Sequence, residues 1–295
     1  MRIAVVTFPE AQDPAARLAV ELGIPCLDIE LRRFPDGESL VCVPSPAPKI
    51  AIVYRSLNDA NGKLVELVLA ASALRANGAE RVILVAPYLA YMRQDMAFRR
   101  GEAISQQVIG ALLANHFDAL LTLDPHLHRI ARLDEAVPGI PAVSLSAAPL
   151  LATAIDAAEA PLLVGPDSES RPWVEAIAHP LGLDVVLGEK HRKGDREVVM
   201  TLPGIERVKG RRAILVDDVI SSGITMITAA DQLYEAGAVA VEALATHCLS
   251  HPADLRLMEE SGIAPVRSTD TVENPTACLH TAGLIADALH EQGWT

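Results

Sequence analysis

Aromatic residues make up only 3% of the 295-residue chain. Cores built on stacked rings are therefore excluded, and the interior must be assembled from Ala, Val, Leu and Ile, a palette that suits parallel α/β packing. Cysteines are four, Cys26, Cys42, Cys248 and Cys278, widely separated and without a C-x-x-C pair; they read as reduced thiols of a cytoplasmic protein rather than a disulfide or zinc framework. No apolar run approaches the ~20 residues of a membrane span, and the opening MRIAVVTF reads as a strand rather than a signal peptide. Positive charge is also short: Lys and Arg total 25 against 38 Asp and Glu, a formal net charge of −13. That balance leaves no basic footprint for nucleic acid. An acidic chain that binds polyphosphate must supply positive charge locally, through Mg²⁺ and a few placed Arg or Lys. Neither a Walker A pattern nor G-x-G-x-x-G occurs, so a nucleotide would have to be held by other segments.

What is present is an alternation. Arg2 to Phe8, Ala51 to Tyr54, Arg81 to Ala86 and Ala119 to Leu123 read as buried strands. Leu64, Leu67, Val68, Ala71 and Leu74 share one face of a helix that stops near Asn77-Gly78, and a second helix runs from about Ile104 to Phe117, the pattern of parallel βαβ units. The second half repeats this grammar, with strands at Pro161 to Val164, Val185 to Leu187, Val198 to Met200, Ala213 to Val216 and Val241 to Ala245. The length suits about two domains. A boundary at the Ser-Ala-Ala-Pro punctuation divides the chain into 1–147 and 148–295, the latter closing with a terminal helix over about Cys278 to His290.

The most informative stretch is RRAILVDDVISSGITMIT, residues 211–228. Its apolar run ends in Asp217 and Asp218; Ser221, Ser222, Gly223, Ile224 and Thr225 follow, and then Met226, Ala229, Ala230 and Leu233 at helical spacing. This reads as strand, loop, helix. Adjacent carboxylates can accept hydrogen bonds from sugar hydroxyls or hold a divalent cation. At the other end, free helix N–H groups, the macrodipole and three hydroxyls favour a phosphate. A phosphorylated sugar fits between the two.

VDDVISSGIT resembles the ribose-phosphate loop of type I phosphoribosyltransferases and of the phosphoribosyl pyrophosphate (PRPP) synthetase family, with Ile224 where that loop usually has a second glycine. Further segments extend the likeness across most of the chain. Phe34-Pro35-Asp36-Gly37-Glu38, alone an ordinary turn, resembles the segment that contacts the adenine of ATP from a neighbouring subunit; the likeness implies that Phe34 stacks on the base while Asp36 and Glu38 read its edge. PYLAYMRQD, residues 87–95, is similar to the family's P-Y-x-x-Y-x-R-Q-D and implies nucleotide contacts from Arg93 and Gln94. Asp124-Pro125-His126 resembles a D-x-H that supplies a histidine, here His126, to Mg²⁺-ATP, with His128 structural or exposed. Gly165-Pro166-Asp167 places Asp167 near the ribose and its metal, although Ser168-Glu169-Ser170 stands where small glycines are common. Gly188 to Lys193 is similar to the K-x-R flexible loop, which makes Lys190 and Arg192 the candidates for closing over the transferring group.

The family resemblance implies two similar phosphoribosyltransferase-like α/β domains, each a mainly parallel sheet flanked by helices. The first would bind ATP and the second ribose 5-phosphate, in a homo-oligomer with sites near subunit interfaces. The implied reaction is Mg²⁺-dependent diphosphoryl transfer from ATP to ribose 5-phosphate. A non-catalytic regulatory subunit and a PRPP-consuming phosphoribosyltransferase are the alternatives.

Overall fold

A computed structural model describes residues 1–127, 129, 130, 132–193 and 197–295, with the backbone alone for 190–193 and 197–199. The chain divides into two units, one of residues Met1–Ser146 with His280–Thr295, the other of Ala147–Leu279. The first unit runs β1 (Ile3–Thr7), α1 (Gln12–Leu22), β2 (Cys26–Asp28), β3 (Glu30–Arg33), β4 (Ser39–Cys42), β5 (Ile50–Tyr54), α2 (Ala60–Ala76), β6 (Arg81–Val85), α3 (Ser105–Ala114), β7 (Ala119–Leu123), α4 (Leu133–Ala136) and β8 (Ala142–Leu145). The second runs α5 (Ala148–Ala152), β9 (Leu162–Gly165), α6 (Arg171–Leu181), β10 (Val185–Leu187), β11 (Glu189–Lys193), β12 (Glu197–Thr201), β13 (Arg212–Ile220), α7 (Ile224–Glu235), β14 (Ala240–Cys248), α8 (Pro252–Glu260), β15 (Ile263–Thr269) and β16 (Ala277–Leu279). A last helix, α9 (Ala282–Glu291), returns to the first unit.

Both units carry the same topology. The first has a six-stranded sheet in the order β2-β1-β5-β6-β7-β8 with a separate β3-β4 hairpin, and the second has β10-β9-β13-β14-β15-β16 with a β11-β12 hairpin. All pairs within the two larger sheets are parallel, and both hairpins are antiparallel. This is the α/β class expected from the alternation.

The central strands are buried along nearly their whole length, as parallel strands covered on both faces must be. Every residue of β7 is buried. Val53, Leu67, Leu74, Val82 and Leu84 form the centre of one core, and Leu215, Ala229, Leu233 and Ala245 that of another. Small residues set how closely elements approach: a Cβ added to Gly110 of α3 would lie 1.7 Å from the Ala136 carbonyl oxygen of α4. Among the described residues no helix is long and apolar enough to cross a membrane.

Two sequence expectations need correction. The tail was expected in the second domain, but α9 packs on α1 and buries Ile285, Leu289 and the nearby Trp294. Its partner is more than 250 residues away in sequence, which no local pattern encodes. The segment after Gly188 was expected to be a loop, yet Glu189–Lys193 is a strand, paired antiparallel with Glu197–Thr201.

Candidate functional site

In the second unit, β9 and β13 are adjacent parallel strands, and the loops at their carboxyl ends meet. Ligands of open α/β sheets bind at such edges. Asp218 is buried, and its backbone N–H donates to Asp217 Oδ1 at 3.0 Å. Burial, with the charges of Asp218 and Asp167 adding to it, pushes the Asp217 carboxyl up to about 8. The charges of Asp218 and Asp167 thus oppose ionisation of Asp217, and a cation or hydroxyl donors arriving there would relieve that repulsion, although among the described residues no three such side chains are placed to hold a metal ion together.

Asp167 is held by its own turn. Its Oδ1 accepts from the N–H groups of Glu169 at 3.0 Å and Ser170 at 3.2 Å, and Ser170 Oγ donates to the Asp167 carbonyl at 2.7 Å. The residues that depart from the family pattern are therefore accommodated: Ser168 and Glu169 are exposed, while Ser170 is buried and closes the turn. Gly165 and Gly188 permit the close packing behind it, since a Cβ at either would approach within 2.3 Å of Ser170 Oγ or of the Pro166 carbonyl oxygen respectively.

Beyond β13, Ser221 and Ser222 are exposed and Gly223 is buried in the left-handed region at φ 72°. Gly223 is the N-cap of α7, and no side chain among the described residues caps the helix. Its free N–H groups and dipole therefore face the serine turn, a ready anion site. Ile224 is the first helical residue and is 63% exposed. The positive φ falls on Gly223, so a second glycine is not required at position 224.

In the first unit, Phe34 to Glu38 form the tip of the β3-β4 hairpin. Phe34 N–H donates to the Glu38 carbonyl at 2.8 Å, Asp36 Oδ1 accepts from the Glu38 N–H at 3.2 Å, and the Arg32 guanidinium lies 5.2 Å from the Phe34 ring centroid. Arg93 is exposed in the loop after β6, whereas Gln94 is tied to α3: its Oε1 accepts from Ser105 Oγ at 3.3 Å and its carbonyl from the Gln106 N–H at 3.2 Å. His126 is half-buried after β7, next to a buried Asp124 at φ 33°. His128 and the side chains of Lys190 and Arg192 lie outside the described residues. The structure thus groups Asp167, Asp217, Asp218 and Ser221 to Thr225 in one unit, and the hairpin and loop residues Phe34, Asp36, Glu38, Arg93, Gln94 and His126 in the other.

One feature is invisible to motif reading. A cleft of about 570 Å³ opens in the first unit between Glu10, the β3-β4 hairpin, Arg55 and the start of α2. Arg55 is 2% exposed and fully engaged: Nε donates to Glu10 at 2.7 Å, Nη2 to Glu66 at 2.6 Å, Nη1 to the Lys63 carbonyl at 3.3 Å, and the guanidinium lies 3.7 Å over the Phe8 ring. Arg55-Ser56-Leu57-Asn58-Asp59 is a strand-to-helix turn at the place where the second half has its DD…SSG segment, but its composition carries no motif.

The N-terminal domain model of ribose phosphate pyrophosphokinase matches residues 3–116, and a phosphoribosyl transferase domain model matches residues 140–271. The ribose-phosphate pyrophosphokinase of Methanopyrus kandleri is 34% identical over 97% of this chain and 98% of its own, and that of Methanosarcina acetivorans is 33% identical over 97% and 98%. The phosphoribosylpyrophosphate synthetase structure from Mycobacterium smegmatis superposes with a TM-score of 0.86 at 26% identity, covering 99% of both chains. Matching sequence over nearly the whole length and matching architecture in both halves lead to one conclusion: the chain belongs to the ribose-phosphate pyrophosphokinase family.

Proposed function

We propose that the chain transfers the diphosphoryl group of ATP to the anomeric hydroxyl of ribose 5-phosphate, giving PRPP and AMP, as a cytoplasmic homo-oligomer. The observation that carries this reading is the pairing of Asp217-Asp218, inside the last part of β13, with an uncapped helix N-terminus beyond the short turn of Ser221 to Gly223. Sugar hydroxyls donate to the carboxylates, and the 5-phosphate accepts from the turn of Ser221, Ser222, Gly223, Ile224 and Thr225. The first unit, Met1–Ser146 with His280–Thr295, would hold ATP through Arg93, Gln94 and His126, with Phe34, Asp36 and Glu38 reaching the adenine of a neighbouring subunit.

The anomeric oxygen forms a bond to the β-phosphorus of ATP, the bond from that phosphorus to the oxygen bridging the α-phosphate breaks, and AMP leaves in line while the hydroxyl proton is released. Charge spreads over the phosphoryl oxygens, so placement and electrostatics carry the rate. Lys190 and Arg192 would neutralise the transferring group. The residues fit Mg²⁺: the donors around Asp217 are carboxylate oxygens that already repel one another, and Mg²⁺ needs only one or two such ligands when substrate phosphates complete its shell. Asp167 in the second unit and His126 in the first are each a candidate ligand for Mg²⁺, which when bound would supply charge neutralisation on the phosphates.

The test is direct. Purified protein incubated with ATP, Mg²⁺ and ribose 5-phosphate should give AMP and PRPP in equal amounts by ³¹P NMR, with Lys190→Ala slower by orders of magnitude. No product, or equal rates from both proteins, would overturn the reading.

A further inference from the structure

The sugar-phosphate loop is open at its front and gripped from behind. Ser221, Ser222 and Ile224 are exposed, yet three successive features of the backbone are fastened by the segment that follows β14. The Ile220 carbonyl accepts from the Leu249 N–H at 2.7 Å, extending the β13-β14 ladder past the Ile220–Cys248 pair. The Ser221 carbonyl accepts from Ser250 Oγ at 2.5 Å. Behind Gly223 stands the Met258 side chain, whose Sδ would lie 2.6 Å from an added Cβ.

Of these, the Ser250 contact is the hydrogen bond made by a side chain to the turn's own backbone, and Ser250 is itself 4% exposed. It is held in turn. Asn274 Nδ2 donates to the Ser250 carbonyl at 3.0 Å, and Asn274 Oδ1 accepts from the N–H of Thr276 at 3.1 Å and from Thr276 Oγ1 at 3.0 Å. A chain of hydrogen bonds thus runs from the segment after β15, through Asn274 and Ser250, to Ser221.

We infer that Ser250 is a positioning residue for ribose 5-phosphate, with Asn274 as its support. The peptide whose carbonyl Ser250 holds is the one that joins Ser221 to Ser222, so the same hydrogen bond fixes the orientation of the Ser222 N–H at the front of the turn. With that peptide free to rotate, the donors of the turn no longer converge on one phosphate, and affinity falls through lost preorganisation. The inference rests on the loop being the ribose 5-phosphate site.

The experiment is a calorimetric titration of ribose 5-phosphate into wild type, Ser250→Ala and Asn274→Ala, followed by steady-state kinetics with each substrate varied. Ser250→Ala should weaken ribose 5-phosphate binding and raise its KM by roughly fivefold to twentyfold, the factor of one lost buried hydrogen bond, while the KM for ATP moves less than about twofold, within the precision of a well-measured constant. Asn274→Ala should act in the same direction by a smaller factor and tests the relay even if the serine variant folds poorly. A wild type that binds no ribose 5-phosphate overturns the functional reading and the inference with it. A wild type that binds, with both variants unchanged or weakened equally for ATP, overturns the inference alone.

Discussion

Arg55 and Asp217 occupy the same step of one topology. Thr7 ends β1 opposite Tyr54, and Arg55 is the next residue; Gly165 ends β9, and counting on from the Val164–Leu215 pair puts Asp217 one step past the residue opposite it. Where the second unit presents the carboxylate proposed to meet sugar hydroxyls, the first presents a buried guanidinium already bonded to Glu10 and Glu66. At the duplicated place a guanidinium, already bonded at the back of the cleft, stands instead of a carboxylate, which leaves one candidate sugar-phosphate loop per chain. Calorimetry should therefore give one ribose 5-phosphate bound per chain, and two would contradict the assignment. Arg55→Met should cost about 3–5 kcal/mol in urea unfolding, the range for breaking a buried pair by removing one partner. A loss under ~1 kcal/mol would show that the network is not a stabilising one.

The same network predicts an acid response. Burial works to raise the Glu66 carboxyl, but hydrogen bonds from Ser39 and Arg55 and the charges of Arg55 and Arg33 outweigh it, and the net shift is below the ordinary 4.5. A carboxyl depressed in the folded state contributes stability above its unfolded value and loses it as pH falls through the folded one. Unfolding free energy should therefore drop on acidification below about pH 5, where unfolded carboxyls begin to bind protons. Glu66→Gln should show a shallower drop than wild type; parallel curves would remove Glu66 from the explanation.

Asp217 has the opposite sign. Its carboxyl is raised to about 8 by burial and by the charges of Asp218 and Asp167, so between its unfolded value and 8 the folded state binds the extra proton and stability falls as pH rises. Wild type in the absence of substrates and metal should melt lower at pH 9 than at pH 6. Asp217→Asn should lose most of that dependence and melt higher than wild type at pH 9, by several degrees, while losing activity. This is the trade between stability and function expected where like charges are held together for a ligand. A variant that melts lower than wild type at pH 9 would show that the carboxylate is not strained.

How legible was all this in the sequence? α7 and the first part of β13 were, because Ile214 to Val216 form an unbroken apolar run and Met226, Ala229, Ala230 and Leu233 repeat at helical spacing, all of them buried. β13 runs on to Ile220 through Asp217 and Asp218, where the apolar run is broken and pairing with β14 keeps the chain extended. Strand β11 was not, because Lys190-His191-Arg192-Lys193 has no apolar alternation and is strand only by virtue of pairing with Glu197 to Thr201. Arg55 was hidden for a different reason. An Arg after an apolar strand reads as solvated, and only the fold brings Glu10 from the loop after β1 and Glu66 from α2 against it. Ser250 carries no motif at all, since its role is a bond to backbone, and any segment can offer backbone.

The loop's hinge residue is Gly223 rather than the position after it. At φ 72° a side chain is strained, and Met258 leaves no room for one. Gly223→Ala must either turn this residue out of the left-handed region or push the methionine away, and costs of about 1–3 kcal/mol are usual for such overpacking. Because the displaced backbone carries the first N–H groups of α7, the loss should fall on ribose 5-phosphate more than on ATP, as a KM raised by tenfold or more. Ile224→Gly tests the complementary claim. Residue 224 is helical and exposed, so restoring the glycine common at that place should bring no gain in ribose 5-phosphate affinity and should cost up to about 1 kcal/mol of helix stability. Tighter binding in Ile224→Gly would mean that the loop needs left-handed backbone at both positions when the sugar phosphate is bound.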